Sequence, residues 1–315
     1  MSESNGEAGR RLIHWIGTFG WKGRLVPIEH LDELRGAVAA QRGRGGLDET
    51  LYQEQLAVFA DASAEDLPGA RTIIVIAVPT PPMRLWFRWR GGRVPAVVPP
   101  TYVSYRLRTQ NVQEVVGGWL ERAGLHAATP ELPLKTLAVR SGLAEYGRNN
   151  VTYVPGLGSF LHLVGLFSDL PCSEDPWRPP RMLERCERCE ICRDRCPTGA
   201  IAPDRFLLRA ERCLTLHNES EVDFPAWIEP PWHNCLFGCL LCQDRCPENG
   251  RVRHWMEDRA EFSEEETALL LERVDPRSLP APLAAKLEDL GLSFGSRHLG
   301  RNLAALIAAR ERAGD

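Results

Sequence analysis

No cysteine precedes Cys172, although the 315-residue chain holds ten of them, all between Cys172 and Cys246. Disulfide scaffolds of secreted proteins spread their cysteines through a short chain, so this distribution excludes one and points to metal. Long apolar runs are missing too, and nothing approaches the ~18 consecutive apolar residues that a spanning helix needs. The segment from Met1 to Arg11 is polar and lacks the apolar centre of a secretory signal. These absences lead to the expectation of a soluble cytoplasmic protein with no membrane partner. Positive charge is not in excess: 38 Lys and Arg stand against 42 Asp and Glu, a net charge of −4. That excludes a general basic field for nucleic acid. One local cluster remains, where Arg84, Arg88, Arg90 and Arg93 interleave with Trp86, Phe87 and Trp89. It reads as an exposed loop with its aromatics tucked inward, or as a stacking, phosphate-contacting surface for RNA or a bulky cofactor. No G-x-G-x-x-G follows the first strand, which removes support for a nicotinamide Rossmann domain. A Ser-His-Asp hydrolase has no local signature either.

Hydrophobic residues make up 43% of the chain and charged residues 25%, an ordinary globular balance for one large domain or two smaller ones. Residues from about His14 to Arg44 read as helical, with a turn around Gly20 to Gly23. Leu67-Pro-Gly-Ala-Arg leads into Thr72–Val78, an apolar, β-branched run that suits a strand buried on both faces of an α/β sheet. Pro79, Pro81 and Pro82 end it. The Pro- and Val-rich segment from Val94 to Pro100 reads as an irregular crossing. Tyr105 to Ala123 fits an amphipathic helix, with Val112, Val115, Val116, Trp119 and Leu120 on one side. Gly142, Gly147, Gly156 and Gly158 punctuate the return to the apolar run Phe160–Phe167; they suit either tight turns or close approach of backbone to a flat ligand. Pro171 to Pro180 reads as a linker. After Arg253 three short helices are predicted, Ser263–Val274, Ala281–Leu290 and Leu299–Arg312, the first opened by Ser263 and Glu266 at capping-box spacing.

The cysteine spacing carries the chemistry. Cys186-x2-Cys189-x2-Cys192-x3-Cys196-Pro197 has the spacing of the bacterial ferredoxin run. A short loop wraps three thiolates around one [4Fe–4S] cubane, and the fourth cysteine points away to a neighbouring cluster. A second run follows, Cys235-x3-Cys239-x2-Cys242-x3-Cys246-Pro247, with Cys213 ahead of it. Crossing assigns Cys186, Cys189, Cys192 and Cys246 to cluster one. Cluster two takes Cys196, Cys239, Cys242 and either Cys213 or Cys235. Paired C-x2-C units also make zinc sites, but three cysteines at C-x2-C-x2-C spacing and a proline after each last cysteine argue for clusters. His217 and His233 flank these cysteines and suit a covering or tuning role. Cys172 reads as a thiol outside the clusters.

Beyond the cysteines, the chain resembles the epoxyqueuosine reductases, relatives of the cobalamin-dependent reductive dehalogenases. Leu67-Pro-Gly-Ala-Arg-Thr-Ile-Ile-Val-Ile-Ala is similar to that family's first core strand and its lead-in. Ala138-Val-Arg-Ser-Gly-Leu-Ala-Glu-Tyr-Gly-Arg-Asn-Asn150 resembles its A-x-x-A-G-L-G-x-x-G-K-N segment. Gly158-Ser-Phe-Leu-His-Leu-Val-Gly-Leu-Phe-Ser-Asp-Leu-Pro171 resembles its G-S-x-x-x-L-G-x-x-x-T-D-L-P segment. The resemblance implies an α+β architecture: a nitroreductase-like α/β domain (1–178), a double-[4Fe–4S] ferredoxin-like module (179–255) and a short helical tail (256–315). It also implies cobalamin in the first domain, an external low-potential donor of ferredoxin or flavodoxin type, and Cys213 in preference to Cys235 on cluster two. Arg140, Arg148, Asn149, Ser159 and His162 fall in the segments that the family uses near its cofactor. Tyr105 falls on the family's tyrosine. Gln110 stands where the family has the aspartate that resembles its proton donor, and an amide cannot deliver a proton as an acid does. The tail is also shorter than the helical repeats with which relatives hold tRNA, so tRNA is a weakened expectation. The resemblance therefore implies an iron–sulfur reductase acting on another substrate; a cluster-bearing carrier without catalysis, or flavin in place of cobalamin, are the alternatives.

Overall fold

The computed structural model describes residues 2–61, 63, 67–293 and 296–313. From the N-terminus, α1 (Ser2–Gly17) and α2 (Leu31–Gly43) flank β1 (Lys22–Pro27). Then come β2 (Thr72–Pro79), the hairpin strands β3 (Met83–Trp89) and β4 (Gly92–Val98), and α3 (Tyr105–Arg122). The short strand β5 (Ala127–Ala128), α4 (Leu134–Arg140), the small hairpin β6 (Glu145–Tyr146) and β7 (Thr152–Tyr153), and β8 (Leu161–Ser168) follow. Beyond the first cysteine run lie α5 (Leu214–Glu219), β9 (Glu257–Phe262), α6 (Glu264–Leu271), α7 (Ala281–Asp289) and α8 (Ser296–Ala313). The architecture is mixed α and β, as expected.

The central sheet runs β1-β2-β8-β5, antiparallel throughout. Strand alternation divides β2 between two cores. Ile73, Val75 and Ala77 pack with Val26, Leu34 and Leu137, while Ile74, Ile76 and Val78 pack with Leu12, Ile16, Val112 and Val116. This is the doubly buried strand read from the apolar run. The expected helical stretch from His14 to Arg44 is instead interrupted by β1. Lys22 to Pro27 pairs with Ala77 to Thr72, and tertiary pairing outweighs the local pattern. Gly23 lets α1 lie close on this strand: a Cβ there would stand 2.5 Å from Ile16 Cδ1 and make that side chain shift.

A second correction concerns Val94 to Pro100, which is no irregular crossing. β4 is an edge strand in the order β4-β3-β9, where the N–H missing at Pro95 costs no ladder bond. The arginine and aromatic cluster lies on this hairpin rather than on an exposed loop. Leu85 and Phe87 point inward and are fully buried, with Phe87 stacked on Phe262 at 4.5 Å. Arg84 and Trp86 both bind Asp258, Arg88 and Arg93 bind Glu261 at 2.6 and 2.8 Å, and Arg90 meets Glu311 at 3.4 Å. Each of the four arginines therefore has a carboxylate partner within the fold, with Arg88 and Arg93 sharing Glu261.

The hairpin, β9 and the C-terminal helices enclose a third core that also takes Leu236 and Phe237 from just ahead of Cys239. The capping box at α6 forms as its spacing predicts: the Ser263 hydroxyl accepts from the Glu266 amide, and the Glu266 carboxylate accepts from the Ser263 amide. Among the described residues no helix is long and apolar enough to cross a membrane.

Candidate functional site

Both cysteine runs lie on turns and irregular loops, which leave thiols free to converge. Cys186 sits in the short turn Glu184–Glu187 and Cys192 in the turn Ile191–Asp194. Cys186, Cys189, Cys192 and Cys246 stand close enough to feel one another's charge; burial, then those neighbours, raise the Cys186 thiol and push Cys192 up to about 11. A second group joins Cys213 to Cys196, Cys239 and Cys242. Burial leads there too, pushing Cys239 up to about 11 and Cys242 well above its ordinary value. Among the described residues no three His, Cys, Asp or Glu side chains converge on a single ion position. A cubane does not require that, because its iron corners separate the sulfurs. Crowded, protonated thiols surrendering protons to bound iron fit such a donor set.

Cys235 is buried near Cys239 and Cys242, but its thiol donates to Asn234 Oδ1 at 3.1 Å. Cys172 stays outside both groups, donating to the Glu174 carbonyl at 3.1 Å. His217 Nε2 meets the Glu211 carbonyl at 3.0 Å. His233 packs on Phe224, and burial followed by Arg301 pushes its pKa down to about 4.

The residues expected near a first-domain cofactor divide into three places. Arg148, Asn149 and Ser159 join that domain to the cysteine loops. The Arg148 guanidinium donates to the carbonyls of Cys186, Glu187 and Cys189. Asn149 Nδ2 donates to the Tyr153 hydroxyl at 2.9 Å and the Cys242 carbonyl at 3.2 Å, and Tyr153 lies near enough to Cys246 and Cys242 to feel their charge. Ser159 Oγ donates to Gln243 at 2.8 Å, and its amide to Asn249. Arg140 lies elsewhere, bound to Glu33 and 4.7 Å over the Trp177 ring. His162 and Tyr105 do come together, edge to face at 4.7 Å, and Thr109 Oγ1 meets His162 Nε2 at 2.9 Å. Gln110, one residue further on α3, is exposed.

A family described as the 4Fe-4S double cluster binding domain matches residues 185–249, which contain every cysteine except Cys172. The epoxyqueuosine reductase of Staphylococcus aureus is 30% identical over 253 residues, covering 74% of this chain and 62% of that protein. Those of Synechococcus sp. (strain CC9605) and Pseudomonas aeruginosa are 35% and 34% identical, over 43% and 47% of this chain and 43% and 41% of theirs. This chain is a homologue of the epoxyqueuosine reductases. It spans between two fifths and two thirds of those relatives' length. The homologue shares its fold with the solved epoxyqueuosine reductases of Bacillus subtilis (TM-score 0.66, 21% identity, 98% of this chain and 83% of that one) and Streptococcus thermophilus (0.67, 18%, 96% and 81%). Its double-cluster domain carries [4Fe–4S] clusters.

The homologue also holds functional candidates that no sequence pattern marked. Lys135 on α4 is solvent-exposed and near enough to Cys213 and Glu219 to feel their charge; desolvation lowers its pKa while those charges raise it. Burial raises the Glu219 carboxyl, opposed by the Tyr102 hydroxyl that donates to it and by Lys135. Tyr102 and Glu219 are thus hydrogen-bonded to one another, with Lys135 near enough to feel Glu219 and Cys213, a cysteine of the second set. Lys135, Glu219 and Tyr102 come from α4, α5 and the turn before α3, so only the folded chain brings them together. His162, beside Tyr105 and Thr109, is a neutral imidazole, its pKa pushed down to about 4 by burial and then by Arg108.

Proposed function

We propose that this homologue is a reductase that carries electrons through two [4Fe–4S] clusters to a cofactor, cobalamin, held in its first domain. Cys186, Cys189, Cys192 and Cys246 hold cluster one, and Cys196, Cys213, Cys239 and Cys242 hold cluster two. The bound clusters supply one-electron transfer. Arg148 and Asn149 fix both cysteine loops against the first domain, which keeps the relay rigid. A ferredoxin- or flavodoxin-type donor delivers electrons at cluster one, whose loop bears the exposed Arg188. Cobalamin, when bound, supplies a strongly reducing centre. The residues fit it in part: Tyr105 and Leu107 on the first turn of α3 leave apolar surface exposed at 44% and 51%. Lys135 adds a donor for amide carbonyls. His162 is not a ready cobalt ligand, because its Nε2 is already bonded to Thr109.

The observation that carries the enzymatic reading is the Lys135, Glu219 and Tyr102 group beside Cys213. A reduction consumes protons as well as electrons, and the Tyr102 hydroxyl bonded to Glu219, with Lys135 near by, puts exchangeable protons next to the relay. A simple carrier has no use for them. The carrier reading draws instead on Gln110, exposed and unable to act as an acid. The substrate class proposed is one other than tRNA-borne epoxyqueuosine, supported by Gln110 and by the internal pairing of Arg84, Arg88, Arg90 and Arg93. Anaerobic purification, metal and sulfide analysis and a visible spectrum with and without cobalamin test the reading. Iron and sulfide for two cubanes with retained corrinoid bands are expected. Zinc in place of iron defeats it, and clusters with no affinity for cobalamin favour the carrier; extracted flavin would replace the corrinoid.

A further inference from the structure

Asn234 stands beside the second cysteine set, and its side chain is fully committed. Its Nδ2 donates to Cys239 Sγ at 3.2 Å and to the Trp232 carbonyl at 3.0 Å. Its Oδ1 accepts from the Leu240 amide at 2.9 Å and from the Cys235 thiol at 3.1 Å. These partners fix which way the amide points. Reversing it would set an oxygen against the sulfur and the Trp232 carbonyl, and an NH2 group against the Leu240 N–H. Cys235 thereby gains a purpose that is not ligation: buried at 2% exposure, it spends its S–H on holding this amide in place.

We propose that Asn234 is a positioning residue that raises the reduction potential of cluster two through its bond to Cys239. The inference rests on the ligand set proposed above. Reduction adds negative charge that a cluster shares with its sulfurs, so a donor aimed at one of them stabilises the reduced form more than the oxidised form. Cluster two is the cluster beside Lys135 and Glu219. A raised potential there draws the electron to the side of Lys135 and Glu219 and away from the donor's side.

The test is an EPR-monitored redox titration of the full-length, anaerobically purified protein, comparing wild type, Asn234→Asp and Asn234→Ala. Asn234→Asp keeps the oxygen that Leu240 and Cys235 use but removes both Nδ2 donations, to Cys239 and to the Trp232 carbonyl, and adds a negative charge. Asn234→Ala removes the donor without the charge and so separates the lost hydrogen bond from the charge. In both variants the ratio of reduced to oxidised cluster two at a fixed solution potential is expected to fall about tenfold, about 59 mV for a one-electron couple. Cluster one is expected to stay within twofold. Unmoved cluster-two signals, an equal shift in both clusters, or loss of cluster two from Asn234→Asp each overturn the proposal. Cys235→Ala is expected to retain both clusters. Wild-type protein without two clusters' iron and sulfide, or loss of cluster two from Cys235→Ala, defeats the functional reading itself, whereas two intact clusters with unmoved potentials defeat only the role of Asn234.

Discussion

Among single side chains, His162 connects burial most directly with a measurable pH dependence. Its imidazole is 2% exposed, and its pKa falls from the ordinary 6.5 to about 4. The folded protein declines a proton that the unfolded chain takes up below pH 6.5. Stability is therefore intact above that pH and drains as pH falls towards 4, by about 3 kcal/mol once both forms are protonated. His162→Gln removes this loss. Urea midpoints at pH 7 and 4.5 are expected to drop more steeply for the wild type than for the variant, and parallel slopes would refute the argument. At this scale the sequence is legible wherever function is local. The cysteines announce themselves because a cubane dictates the spacing of the loop that wraps it. Lys135 and Asn234 carry no such mark, since each matters only through a partner brought near by folding: Lys135 through Glu219, Asn234 through the sulfur of Cys239. Arg148 and Asn149 read from the sequence as contacts to a first-domain cofactor, but their bonds run to the cysteine loops.

Elements follow the same division between local and distant causes. The start of α6 is written in four residues, and its capping box is present. β2 is legible because both its faces are apolar. β1 and β4 are not, because an edge strand needs only one good face and a partner supplied from elsewhere: β2 for one, β3 for the other. The packing of α8 on α6 is equally hidden, and it turns on one glycine. A Cβ at Gly300 would stand 1.9 Å from the Leu270 carbonyl oxygen at the end of α6, a contact that rigid backbone cannot relieve without separating the helices. Gly300→Ala is expected to destabilise the protein by about 1–3 kcal/mol, the usual scale of overpacking. Thermal unfolding measures it, and an unchanged midpoint would mean that the helices slide apart freely.

The whole molecule is held by two seams, and both end at the clusters. One is the row formed by Arg148, Asn149 and Ser159. Arg148→Ala leaves three loop carbonyls without their charged donor, bonds worth about 1.5–3 kcal/mol each to a charged group. Iron of cluster one is then expected to pass to a chelator several-fold faster while cluster two keeps its wild-type rate; equal rates would deny the seam. The other seam joins residues 256–313 to the β3-β4 hairpin. Phe262 stacks on Phe87, and Leu283, Leu287, Leu299 and Leu303 cover the same core as Leu236 and Phe237. Arg301, 6% exposed, reaches the carbonyls of His217 and Val222, and Asn302 reaches those of Asn218 and Leu236. α8 therefore braces the segments that carry both Cys213 and Cys239. Ending the chain after Trp255 would strip β3 of its β9 partner and uncover Phe87 and Phe237. Such a protein is expected to lose cluster two first, read as half the iron and sulfide with the cluster-one EPR signal retained. Full retention of both clusters would show that the C-terminal helices cover the core without supporting the relay.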